Sequence, residues 1–136
     1  MSTYGNGFFE VNNLTGKTEQ HFIYTTAGDR WPNFTWNIRQ INTDTAWIGT
    51  QAGMFWYSIS KKTYGRIAAY PGKPAALDSF AITTQFTDSY GLVWIGLGKS
   101  HGVCTFDQKN RRFTWYPANS EEGYPLRYPT QVAEDK

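Results

Sequence analysis

Short runs of alternating hydrophobic and polar residues follow one another along the chain, separated by Gly, Asn, Asp, Ser and Pro. Such runs are typical of strands joined by tight turns, and no long helical period interrupts them. The pattern predicts one group of four strands over residues 34–44, 46–50, 54–59 and 66–70. It predicts a second group over residues 80–87, 92–97, 102–107 and 111–116. The fold class predicted is therefore all-β.

The two groups of strands are copies of one sequence unit. The segment TAWIGTQAG at 45–53 recurs as LVWIGLGKSHG at 92–102, and Tyr24, Tyr70 and Tyr116 are spaced 46 residues apart. A period in the mid-forties with four strands per unit is typical of a β-propeller. Each unit would then be one blade of four antiparallel strands.

The two ends of the chain match only parts of this unit. Strands are predicted at 7–11 and 20–24 near the first end and at 131–135 near the other. The predicted organisation is the end of one blade plus a loop (1–33), a second blade (34–79), a third (80–129) and the first strand of a fourth (130–136). About three blades form an incomplete ring, because closed propellers have about four to eight. We expect either a segment of a longer propeller or a chain that closes with a second copy.

The repeated strand and its flanks resemble the two-component regulator propeller repeat. In the third unit the matching residues are Asp88, Gly91, Val93, Trp94, Ile95, Gly96, Gly102, Val103, Phe106, Asp107, Phe113 and Tyr116. In the second unit they are Trp47, Ile48, Gly49, Thr50, Gly53, Met54, Tyr57 and Tyr70. The turn before Trp47 is shorter than the turn of that repeat.

This resemblance implies a function. In that family, common in Bacteroidetes-type bacteria, such repeats build the periplasmic sensor of hybrid two-component histidine kinases, and the ligands are frequently oligosaccharides. The resemblance therefore implies a non-catalytic, periplasmic sensor segment for a glycan-derived ligand. It would pack against other blades of the same parent chain or a second copy, and would reach the membrane only through other parts of the parent.

Composition and charge narrow the classes of function. The net charge is only +2, from 13 basic and 11 acidic residues, which argues against nucleic acid as a partner. Cys104 is the one cysteine, so the sequence allows no internal disulfide, and no Cys/His spacing suggests a metal. No cofactor is predicted.

The repeated residues are expected to be structural. Trp47 and Trp94 are predicted to fill the space between adjacent blades, and the glycines that follow them to allow close approach of the neighbouring blade. The full structural set is Trp47, Gly49, Gly53, Trp94, Gly96, Gly102, Tyr24, Tyr70 and Tyr116.

Ligand binding is predicted where the copies differ. The insertion Gly98–His101 and the long loops between units fall on the same predicted edge, where an aromatic ring can stack on a sugar and charged groups can bind hydroxyl or uronate groups. The candidate ligand-binding residues are Trp31, Arg30, Lys99, Ser100, His101, Arg127 and Tyr128. The alternative interpretation is ordinary solvated loops.

Two other functions compete with the sensor. One is a structural or interaction propeller of a secretion or cell-surface complex. The other is a propeller lyase, which needs a catalytic histidine with metal-binding carboxylates near the channel. His101 is the one histidine placed for such a role, and no catalytic grouping can be read. We therefore expect no enzymatic activity in this segment.

Overall fold

The computed structural model describes residues 1–26, 28–118 and 128–135, and its strands form three antiparallel sheets. The N-terminal hairpin consists of β1 (Phe8–Val11) and β2 (Thr18–His21). The middle sheet has the order β3 (Thr35–Gln40), β4 (Thr45–Thr50), β5 (Gly53–Ser58) and β6 (Thr63–Arg66). The C-terminal sheet has the order β7 (Ile82–Thr87), β8 (Leu92–Leu97), β9 (Gly102–Asp107) and β10 (Arg112–Tyr116).

Two short 3₁₀ helices precede the first strands of the two larger sheets, at Trp31–Asn33 and Ala75–Asp78. No helix among the described residues has the length and apolar character needed to cross a membrane. The all-β prediction is confirmed, and the predicted bounds of β8 and β9 are the observed ones.

Two strands, β6 and β2, were predicted in the wrong place. β6 covers Thr63–Arg66 rather than 66–70, because the turn after Ser58 fixes the pairing of Ser58 with Thr63 and of Phe55 with Arg66. Beyond Arg66 the chain leaves the sheet, and Ile67 is buried against the C-terminal sheet instead. β2 likewise covers Thr18–His21 rather than 20–24, since its register pairs Phe8 with His21.

The strand predicted at 131–135 is not formed. These residues have no strand partner among the described residues, and an isolated extended segment has no ladder to stabilise it. Side chains bind the segment instead. The Thr83 hydroxyl donates to the carbonyl of Pro129, and the backbone N–H of Ser89 donates to Glu134 Oε2 at 2.9 Å.

The main core lies between the two four-stranded sheets. Trp47 of β4 is 5% exposed, and its ring centroid lies 4.9 Å from Phe106 and 6.2 Å from Phe113 of the C-terminal sheet. Tyr70 extends this aromatic cluster, with its ring 5.3 Å from Phe106. Large rings suit this contact because each buries much apolar area at little conformational cost.

A second core joins the N-terminal hairpin to the opposite face of the middle sheet. Phe8 of β1 contacts Tyr57 edge-on at 4.9 Å, and Ile48 and Phe55 are buried with them. The buried Asn33 side chain accepts from the Ile23 N–H at 2.7 Å and donates to the Ile23 carbonyl at 3.1 Å. Asn33 thereby satisfies both the N–H and the carbonyl of Ile23, which is buried but lies beyond the end of β2.

The first strands of the two larger sheets, β3 and β7, each form one edge of their sheet. They meet through polar side chains. Asn37 Nδ2 donates to the Ile82 carbonyl at 2.8 Å, Gln85 Nε2 donates to Asn37 Oδ1 at 2.5 Å, and Arg39 Nε donates to Thr87 Oγ1 at 3.0 Å. Hydrogen bonds are directional, so this polar seam fixes how one sheet is set against the next.

The glycine of the Trp-Ile-Gly motif lies where neighbouring chain segments come closest. A Cβ on Gly49 would lie 2.8 Å from Ile82 Cγ2, and one on Gly96 would lie 2.8 Å from the Pro129 carbonyl oxygen. Any larger residue would push the next segment away.

We predict that Trp47→Ala lowers the free energy of unfolding by about 3–5 kcal/mol, because it opens a cavity between the sheets. The matched control is Trp36→Ala, which removes an exposed ring of β3 and should cost about 1 kcal/mol or less. Urea denaturation followed by circular dichroism measures both values. Equal losses in the two variants would contradict this account of the core.

Candidate functional site

Four separate segments of the chain meet at one edge of the two larger sheets and enclose a cleft of about 430 Å³. We call it the rim cleft. The loop before β3, the β4–β5 turn, the loop after the second 3₁₀ helix and the β8–β9 turn each contribute to it. Its lining residues are Asp29, Trp31, Gln51, Ala52, Ser79 and Lys99.

Trp31 is the exposed aromatic residue of the rim cleft. It begins the first 3₁₀ helix and is 55% exposed, while its ring packs at 5.3 Å on Phe34. Its N–H donates to Asp29 Oδ1 at 3.2 Å, and the Thr25 hydroxyl donates to Asp29 Oδ2 at 2.9 Å. The carboxylate therefore positions the start of the helix, and one side of the indole is supported by Phe34.

The β4–β5 turn forms the floor between Trp31 and Lys99. The Gln51 side chain accepts a hydrogen bond from Trp36 Nε1 at 3.0 Å, and Arg66 Nη1 donates to the Ala52 carbonyl at 2.5 Å. Burial lowers the pKa of the Arg66 guanidinium. Hydrogen bonds from Trp36 and Arg66, which lie outside the turn, thus hold Gln51 and Ala52 in place.

The β8–β9 turn carries backbone strain. Lys99 and Ser100 have φ angles of 54° and 61°, a left-handed region that costs residues with a side chain roughly 1–2 kcal/mol each. The turn is held by its neighbours: the His101 ring stacks on Phe80 at 3.8 Å, and Trp115 Nε1 donates to the His101 carbonyl at 2.8 Å. Strain of this kind is commonly found at binding sites.

Lys99 is the basic residue of the rim cleft. Its Nζ lies 5.5 Å from the centroid of Phe80, within range of a cation–π contact. Among the described residues it forms no ion pair, and its side chain is exposed. Its charge is therefore available at the mouth of the cleft.

The structure brings some of the predicted ligand-binding residues together and separates others. Trp31 and Lys99 share the rim cleft, whereas Ser100 and His101 shape the turn beside it. Arg30 is exposed on an adjacent cavity of about 410 Å³ with Tyr24 and Asn33. Tyr128 is exposed, and Arg127 lies outside the described residues.

The structural repeat residues also differ in their surroundings. Trp47 is in the core, and Trp94 is half-buried with its Nε1 donating to Asp88 Oδ2 at 2.7 Å. Gly53 and Gly102 begin β5 and β9. Of the three spaced tyrosines, Tyr70 packs on the core, Tyr116 ends β10, and Tyr24 is exposed outside any strand. Expected packing at Tyr24 is absent because β2 ends at His21.

Sequence reasoning missed Gln51, Ala52 and Ser79. Gln51 and Ala52 lie in a short, regular turn, Ser79 follows the second 3₁₀ helix, and no insertion or aromatic residue marked any of them. Nor does the sequence mark a cluster around His21. Glu10, Glu19 and His21 instead place their ligand-type atoms within 4.8 Å of one another.

That hairpin cluster is completed from the middle sheet. Lys62 Nζ lies 2.6 Å from Glu10 Oε2, and the Tyr57 hydroxyl donates to the same oxygen at 3.0 Å. The lysine hydrogen bond lowers the pKa of Glu10, while burial raises the pKa of Tyr57, aided by Glu10. The ammonium group already neutralises the carboxylate where a metal would bind. The cluster therefore ties the hairpin to the middle sheet.

Comparison with known proteins gives a likeness of fold. No family model and no curated protein matches the sequence. Among solved structures, the chain is similar to the extracellular domain of a hybrid two-component system from B. thetaiotaomicron, with a TM-score of 0.59 and 22% identity. The match covers 83% of this chain and 14% of that one, so the chain spans a small part of its structural relative.

Stability should depend on pH through Glu10. Its folded pKa lies below the ordinary value of 4.5, so the Lys62 contact stabilises the fold above that value and is lost as pH falls through the folded pKa. We expect unfolding free energy to fall more between about pH 6 and about pH 3 in wild type than in Lys62→Met. Urea unfolding across this range measures it, with Lys17→Met as control. A slope unchanged by Lys62→Met would refute the role of this contact.

The strained turn gives a second prediction. Ser100→Gly should raise the free energy of unfolding by up to about 1 kcal/mol, because glycine adopts a positive φ without steric cost. Ser79→Gly is the matched control: its φ is −142°, so the same change should lower stability by about 0.5 kcal/mol. Thermal unfolding compares them. Destabilisation by both changes would contradict strain at Ser100.

Proposed function

We propose that the chain is a segment of a β-propeller that senses a glycan-derived ligand in its rim cleft and does not transform it. It would belong to the periplasmic sensor of a hybrid two-component system. The observation that carries the proposal is the convergence of Trp31, Gln51, Ser79 and Lys99, from four separate segments, on one cleft. The two-component role rests on the sequence resemblance and on the similarity of fold.

The sheets support the propeller part of the proposal. Two four-stranded antiparallel sheets with the same strand order follow each other and pack face to face through Trp47. Their innermost strands, β3 and β7, lie side by side along the polar seam. Radial repetition of such sheets is the architecture of a propeller.

The chemistry of the rim cleft supports an oligosaccharide. A sugar ring has an apolar C–H face, which can stack on the open side of Trp31, and hydroxyl groups that need hydrogen-bond partners. Gln51 and Ser79 offer such partners, and Lys99 offers a positive charge for a uronate carboxylate. A cleft with an aromatic wall and a few polar groups is the usual form of a small-molecule site.

The arrangement of His101 supports a non-catalytic role. Its ring is stacked on Phe80, and its Nδ1 lies 2.9 Å from the Gly98 carbonyl oxygen, so one face and one nitrogen are engaged in shaping the turn. The described carboxylates that approach a histidine surround His21 in the hairpin, not His101. The proposal therefore assigns no catalytic residue.

Isothermal titration calorimetry with a tetragalacturonate and a neutral tetrasaccharide, xylotetraose, tests the proposal. We expect Trp31→Ala to weaken binding of both sugars by about 10-fold or more, equivalent to about 1.4 kcal/mol. Lys99→Met should weaken binding of the uronate only. Tyr90→Ala, which removes an exposed ring from the β7–β8 turn away from the cleft, is the matched control and should retain wild-type affinity.

Two results would contradict the proposal. Equal loss on Trp31→Ala and Tyr90→Ala would mean that the cleft is not the site. Turnover of either sugar, abolished by His101→Ala, would mean that the segment is catalytic.

A further inference from the structure

Four aromatic side chains form a continuous strip beside the rim cleft. The centroid of the Phe34 ring lies 5.3 Å from that of Trp31 and 4.8 Å from that of Tyr4. The Tyr4 ring in turn lies 6.2 Å from Trp36. Tyr4 is 77% exposed and Trp36 is 48% exposed, whereas Phe34 is half-buried. We call this surface the aromatic strip. A contiguous exposed apolar patch marks a binding surface more often than scattered apolar residues do.

The aromatic strip joins the rim cleft at two points. Trp31 belongs to both, because it lines the cleft and its ring packs on Phe34. At the second point Trp36 Nε1 donates to Gln51 Oε1 at 3.0 Å, and Gln51 also lines the cleft. A chain molecule that leaves the cleft on this side therefore meets further aromatic rings.

Trp36 reaches solvent at a bulge in β3. The pairing of β3 with β4 shifts between Thr35 and Asn37, which leaves Trp36 as the extra residue. Bulges commonly turn a side chain in a new direction next to a functional site. The first strand of the C-terminal sheet, β7, shifts at the same place in the repeat, but its extra residue is Thr83. The exposed indole is thus a difference between the two copies and not part of the repeat.

Tyr4 lies at the same edge of the sheets as the rim cleft. It directly precedes the turn before β1, whereas Gln51 and Lys99 belong to the turns before β5 and β9. Each of these turns leads to a glycine with a positive φ, namely Gly7, Gly53 and Gly102. Turns lie at the ends of strands and not on the faces by which sheets pack. Packing of further sheets face to face therefore leaves this edge uncovered.

The Tyr4 segment is held in place by residues at the start of β3. Tyr4 forms an antiparallel bridge with Phe34, and the Thr35 N–H donates to the Thr3 carbonyl at 2.9 Å. In the other direction the Thr3 N–H donates to Thr35 Oγ1 at 2.7 Å. Because the backbone of the strip is already ordered, a ligand that packs on it spends less binding energy on ordering the protein.

We propose that the aromatic strip extends the ligand site of the rim cleft, and that the ligand is a linear oligosaccharide longer than a disaccharide. This inference rests on the proposed function. One sugar unit occupies the cleft, where Lys99 can pair with a uronate, and the following units stack their C–H faces on Trp36 and Tyr4. The side chains of the strip carry no charge, so the units that lie on it are neutral.

Isothermal titration calorimetry with xylobiose, xylotetraose and xylohexaose tests the inference, because the strip predicts that affinity rises with chain length. In wild type we expect a rise of about 10-fold or more from xylobiose to xylohexaose. Tyr4→Ala should weaken binding of xylohexaose by about 5-fold and change binding of xylobiose by less than about 2-fold. The matched control is Tyr90→Ala, at another exposed tyrosine, and it should retain the wild-type rise.

Trp36 needs two variants, because its N–H also holds Gln51. Trp36→Ala removes both the ring and the N–H, and it should weaken binding of xylohexaose by about 5-fold. Trp36→Phe keeps an aromatic ring and removes only the N–H, so it should retain most of the rise with chain length. Equal losses in the two variants would mean that Trp36 acts through Gln51 and not by stacking on the ligand. Far-UV circular dichroism checks that every variant is folded.

The outcomes separate this inference from the proposed function. Affinity that does not rise with chain length, or a rise that Tyr4→Ala leaves intact, would overturn the role of the strip. The rim cleft would then remain the site if Trp31→Ala still weakens binding of xylobiose. If wild type bound none of the three sugars and no uronate, the proposed function would fail, and this inference with it.

Discussion

The packing of Trp47 between the two four-stranded sheets is the contact on which the rest of the structure depends. A sheet with a hydrophobic face must bury that face against another element, so each sheet needs its neighbour. Trp47 supplies the largest side chain of that contact, and Phe106 and Phe113 surround it from the other sheet. Close approach of β7 to β4 is possible because Gly49 presents no side chain to Ile82. The rim cleft lies where turns and loops beside these two sheets meet, so its shape follows from how the sheets are packed.

Apolar packing alone does not determine how two sheets are aligned, because the hydrophobic effect has no direction. The polar seam between β3 and β7 provides that direction. Asn37 and Gln85 bond to each other, and Asn37 also reaches the backbone of the opposite strand. Gln85 Oε1 is buried and has no hydrogen-bond partner among the described residues. The hydrogen bonds of the seam thus select one alignment of the two sheets without satisfying every buried polar atom. That alignment fixes the distance between the two turns that line the rim cleft.

The strands were predictable from the sequence where pairing follows the hydrophobic pattern. Segments β8 and β9 are short, largely apolar runs on either side of a turn at residues 98–101, so their bounds are those predicted. Prediction failed where a strand depends on its partner rather than on its own residues. The pattern around Tyr70 resembles a strand, yet pairing with β5 ends at Arg66, and residues 131–135 have no strand to pair with in the described part of the chain. For the rim cleft, the long loop before the second unit indicated Trp31, and the insertion in the third unit indicated Lys99. Gln51 and Ser79 could not be predicted, because only the packing of the sheets brings the turn of one and the loop of the other beside these residues.

The two repeats differ most at the turns that face the rim cleft, and this difference explains how the cleft arises. Gln51 and Ala52 form a short turn that is bonded from outside, whereas the longer turn of the next sheet extends Lys99 toward it. Two consecutive residues with positive φ would make such a turn unfavourable by itself. The stack of His101 on Phe80 and the bond from Trp115 offset that cost and hold the turn in one shape. A ligand would therefore meet a turn that is already ordered, so less of its binding energy would be spent on ordering the protein. The Trp-Ile-Gly motif occurs in both sheets, whereas the turns that line the rim cleft are places where the two copies differ, with Gln51 and Ala52 in one and Lys99 in the other.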